Sequence, residues 1–63
     1  MNQNTDSIQA VVTVNKDKVS GGAPIFFARN ENELVSVSVS LSKILDSTVH
    51  ELERGTYILV RHG

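Results

Sequence analysis

Between Leu34 and Val60 the chain reads LVSVSVSLSKILDSTVHELERGTYILV, and its hydrophobic period changes twice. Val35, Val37, Val39 and Leu41 alternate with Ser36, Ser38, Ser40 and Ser42. A period of two sets the branched aliphatics on one face, which predicts a half-buried strand. From Leu41 onward the apolar positions are Leu41, Ile44, Leu45, Val49 and Leu52, the stripe of an amphipathic helix over about 41–54. Ser40 stands where an N-cap is wanted, Gly55 where a left-handed C-terminal cap is wanted, and Arg54 lies in the last turn. Thr56 to Val60 is a continuous apolar and β-branched run of strand length, read as a strand covered on both faces.

Upstream, residues 1–7 are polar and predict a flexible tail. Ile8, Ala10, Val12 and Val14 then alternate as a first strand. Residues 15–18 break it, and Ser20, Gly21 and Gly22 supply the φ freedom of a tight reversal. Pro24 admits a strand only at its first residue, so a second strand covers Ile25 to Ala28. Residues 29–33 form a polar turn. The expectation is a single α+β domain over 8–63 in the order βββαβ, an antiparallel sheet with one helix on one face. Because IFFA and YILV point apolar side chains both ways, something must cover the second face. A second copy of the chain, in a homodimer or higher oligomer, is the expected cover.

Composition narrows this picture. Sixty-three residues make one small domain that buries only about 60% of its unfolded surface. The chain has no cysteine, so neither disulfides nor a cysteine metal cluster support the thin core. A net charge of −1 argues against binding nucleic acid chiefly by neutralising phosphates. The polar start MNQNTDSIQ has neither a basic nor an apolar signal region, and no apolar run approaches the roughly 20 residues of a membrane span. A cytoplasmic protein away from membranes is expected.

Candidate chemistry is sparse. Asp46, His50 and Glu53 share a flank of the expected helix, with His62 as the remaining imidazole; that flank suits a metal or a proton relay, but an exposed ion-pair flank is the commoner meaning of such spacing. Lys18 with Ser20, Gly21 and Gly22 resembles an anion nest, yet a strand follows where a phosphate loop opens a helix. The serines sit in no nucleophile motif and suit a solvated or closely packed strand face. Phe26 and Phe27, adjacent in a strand, face opposite ways and make no stacking platform.

From Glu33 to Val60, a Val-rich strand, then LSKILDSTVHELERG, then a hydrophobic strand resembles the segment preceding the helix-turn-helix of excisionase-like antitoxins. The DNA-reading helices that follow it in that family are not in this sequence, so the resemblance implies only a regulatory role.

The sequence therefore predicts a non-enzymatic regulatory protein that binds another, unidentified protein, of the kind phages and mobile elements use as inhibitors. It names no catalytic residue, cofactor or metal. The expected contact residues are the outer side of the helix: Lys43, Asp46, Ser47, His50, Glu51 and Arg54. A nucleic-acid-binding dimer using Arg29, Lys43, Arg54 and Arg61 is one alternative, and a metal-dependent or dimer-interface enzyme is another.

Overall fold

The computed structural model describes residues 6–15, 17 and 21–62. Five elements follow in order: β1 (Ser7–Thr13), β2 (Ile25–Phe27), α1 (Glu31–Ile44), β3 (Thr48–Glu53) and β4 (Thr56–Arg61). The four strands make one sheet in the order β2-β1-β4-β3. β1 runs parallel to β2 and antiparallel to β4, which is antiparallel to β3. The fold is α+β with one helix on one face, as the sequence predicts, but the element order is ββαββ and the sheet is mixed.

The corrections to the element order fall between residues 31 and 54, while the parallel pairing of Val11–Thr13 with Ile25–Phe27 replaces the antiparallel neighbour that a tight reversal between β1 and β2 would give. The expected strand at 35–41 is the body of α1, and the expected helix at 41–54 is the end of α1, a turn and β3. Asn30 caps α1 at its start: its side chain accepts from the Glu33 N–H at 2.8 Å. Leu34, Val37, Leu41 and Leu45 lie at helical spacing and pack toward the sheet with Ser38. These ends and this stripe outweigh the strand preference of the valines, because tertiary burial overrides local propensity. The alternation instead leaves Val35 and Val39 nearly half exposed on a helix flank.

At the other end Leu45 N–H bonds Leu41 C=O, and Ser47 N–H reaches Ser42 C=O at 2.9 Å. Asp46 takes φ +53° between them, completing a Schellman closure with aspartate where glycine is usual. Arg61 from the end of β4 donates to Leu45 C=O at 2.6 Å, a cation placed on the negative end of the helix.

Gly55 has the positive φ expected of it, +86°, but in the two-residue Arg54–Gly55 hairpin between β3 and β4. A Cβ there would meet Asn15 Nδ2 at 2.8 Å and Val14 Cγ2 at 2.9 Å. Beside this turn the buried Thr13 and Thr56 hydroxyls bond each other at 2.8 Å, and Thr13 Oγ1 also donates to Gly55 C=O. β1 is thereby fastened to the hairpin.

The core is Ala10, Val12, Ala28, Leu34 and Leu59. It lies entirely between α1 and one sheet face. The expected tail over 1–7 falls largely outside the described residues, although Ser7 already pairs with Arg61. Of the reversal expected at Ser20, Gly21 and Gly22, residue 20 also falls outside them.

Candidate interaction surface

Strand pairing sorts the side chains by face. Ala10, Val12, Tyr57, Leu59 and Val49 point to α1. The opposite face carries a row across all four strands, Ile25, Val11, Ile58 and His50, and a second row of Ile8, Val60 and Thr48. No described helix covers this face. Ile8 is 52% exposed, and Phe27, in line with Thr13, is 52% exposed. Ile25, Ile58 and Val60 are half-buried, while Val11 is buried beside residues 21–24. There Ile8, Val11, Gly22 and Pro24 border an open hollow of about 720 Å³. Among the described residues no ionisable side chain lines it.

Both sheet edges are open among the described strands. β2 is only three residues long. β3 is longer, but it carries His50, Glu51 and Glu53 and a bulge between Glu51 and Glu53 that leaves Leu52 64% exposed. A short strand at one edge, and charge with a bulge at the other, are devices that discourage uncontrolled edge pairing.

The residues expected on one helix flank are scattered. Lys43 is in the last turn of α1, Asp46 and Ser47 form the turn to β3, and Arg54 is at the hairpin. His50 and Glu51 are adjacent in β3 and point to opposite faces. The flank of Asp46, His50 and Glu53 does not exist, because these residues belong to a turn and a strand. The described residues hold no group of three or more metal-ligating side chains.

His50 instead meets His62, Nε2 to Nε2 at 3.2 Å, with rings edge to face at 77°. His62 Nδ1 lies 3.2 Å from Asp6 Oδ2. The signal available in the sequence was that His50 and His62 are the two histidines of the chain; the register that joins them was not.

The arginines are dispersed too. Arg29 is paired with Glu33, its guanidinium donating at 2.9 and 3.1 Å. Those hydrogen bonds, joined by one from the Arg29 backbone N–H, hold the Glu33 carboxyl below its ordinary pKa and raise that of Arg29. Arg61 closes the helix at one end of the sheet, and Arg54 sits at the hairpin at the other. No described helix is long and apolar enough to cross a membrane.

Comparison with known proteins supplies a context different from the antitoxin resemblance, whose strand-helix-strand pattern residues 33–60 do not form, since they run helix, strand, strand. A family model described as "Capping complex subunit for YIEGIA" matches residues 5–62. A Bacillus subtilis (strain 168) protein described as "Uncharacterized protein YpzH" is 36% identical over 58 residues, covering 92% of this chain and 91% of its own. No solved structure matches. Since the family model spans nearly the whole chain, this protein belongs to the family of capping complex subunits for YIEGIA.

Proposed function

We propose that this chain is a non-catalytic subunit of a protein complex, and that it binds its partner through the helix-free face of the sheet. The observation that carries this reading is the apolar surface there. Ile8 and Phe27 stand half exposed beside Ile25, Ile58 and Val60, on a sheet whose other face already holds the core. Exposed apolar area of this kind marks interaction sites. The family description names a protein, YIEGIA, for which its members form a capping complex, and we assign that protein to this face. Of the expected contact residues only His50 lies on this face, so Lys43, Asp46, Ser47, Glu51 and Arg54 are at most a rim.

Co-expression with the YIEGIA protein of the same organism tests the assignment. The wild-type chain is expected to co-purify with it. The variant Ile8→Glu/Phe27→Glu is expected to lose at least tenfold in retention with an unchanged circular dichroism melt, since both side chains are half exposed. Full retention by the folded double variant overturns the assignment. So does a wild-type homodimer, seen by light scattering, that the same substitutions break, because a second copy then occupies the face.

A further inference from the structure

We propose that His50 and His62 form a binding site for a divalent cation of the zinc class. The two imidazoles come from β3 and from the segment after β4, and their Nε2 atoms lie 3.2 Å apart with the rings edge to face. Two Zn–N bonds of about 2.0–2.1 Å meeting at a tetrahedral angle hold their nitrogens about 3.3–3.4 Å apart. The pair therefore has the nitrogen spacing of two ligands of one ion. The same 3.2 Å is hydrogen-bond distance; with the cation bound, each neutral ring carries its proton on Nδ1, so both Nε2 lone pairs go to the ion and neither imidazole loses a net proton.

The orientation of His62 has a further support. Asp6 Oδ2 lies against its Nδ1. A carboxylate on that nitrogen fixes the tautomer that leaves the Nε2 lone pair free, which is how metal-binding histidines are commonly oriented. Imidazole donors favour zinc, copper and nickel over magnesium and calcium. The chain supplies two donors, since no group of three or more metal ligands occurs among the described residues. Water or a donor from a docked protein takes the remaining positions, and His50 lies on the face assigned above to the partner. Asp6 just precedes β1, so a bound ion ties the ends of β1 and β4 to β3 and stabilises the folded state by mass action.

Tag-free protein titrated with zinc chloride by isothermal calorimetry is the test, with a thermal melt in parallel. The expected result is saturable binding of one zinc per chain and a melting temperature that rises with zinc, while magnesium does neither. His50→Ala and His62→Ala each weaken zinc at least tenfold without loss of the circular dichroism spectrum. Asp6→Asn weakens it about tenfold, as loss of a ligand-orienting carboxylate does. Absence of saturable binding, or wild-type affinity in both histidine variants, overturns the site. Neither result bears on YIEGIA binding, which is read by co-purification.

Discussion

Ser38 is 1% exposed on the sheet side of α1, and its hydroxyl has no hydrogen-bond partner among the described residues. Its small size lets the helix lie close to the sheet, but the hydroxyl is desolvated without compensation. Ser38→Ala keeps nearly the same volume, removes the orphaned group and improves helix propensity. We expect a gain of about 1 kcal/mol in urea unfolding. Ser38→Lys, which would leave the monomer folded on the solvated or closely packed strand face that the sequence suggested, here forces a charge into the core. Gly55 is the opposite case, a residue whose lack of a side chain is required. With φ at +86° and both Asn15 and Val14 inside the space of a Cβ, Gly55→Ala is expected to cost about 2 kcal/mol, read as a lower urea midpoint with an unchanged slope.

At the scale of the element, α1 begins with a set of mutually supporting contacts. Asn30 caps it, Glu33 accepts from the Arg29 backbone and guanidinium, and Glu31 and Glu33 set negative charge against the positive helix end. Because the folded-state pKa of Glu33 is depressed, its stabilisation is fully present above the unfolded carboxylate pKa and is lost as pH falls through the folded value. Glu33→Gln is therefore expected to lower the melting temperature near neutral pH, with the difference from wild type closing in acid. The pair is exposed, so the effect is small.

The sequence reading places a polar turn over 29–33 and an N-cap at Ser40, although Asn30 followed three residues later by Glu33 has the spacing of a helix start. The Val/Ser alternation fits both periods, because Leu34, Val37, Leu41 and Leu45 lie within it at helical spacing. Past Leu45 the apparent helical stripe had little support: Val49 alone reaches the core, and Leu52 is in a bulge at 64% exposure. The strands at 8–14, 25–28 and 56–60 were legible, since each combines apolar or β-branched residues with turn residues at its ends.

For the molecule as a whole, the sequence conveyed the single α+β domain, one helix on one sheet face and the apolar character of the second face. Ile8, Ile58 and Val60 bear out the apolar character of that face. The site proved less legible than the fold. The meeting of Asp6, His50 and His62 depends on β4 lying between β1 and β3, and that arrangement leaves no local trace in residue spacing.

The same arrangement governs how the molecule is assembled in time. β3 and β4 form a hairpin that closes through a two-residue turn, whereas Val11 and Ile58, neighbours in the sheet, are near opposite ends of the chain. Loop closure of that length must precede most of the core contacts, which places folding toward the millisecond-to-second range, roughly, rather than the microseconds of helical bundles. Whenever β1 is displaced, Leu34 and Leu59 lose the Ala10 and Val12 side chains that pack with them, and β4 gains an open edge beside its already exposed outer face. An altered β1 is thus expected to favour wrong association more than an altered β3, because β3 closes locally with β4.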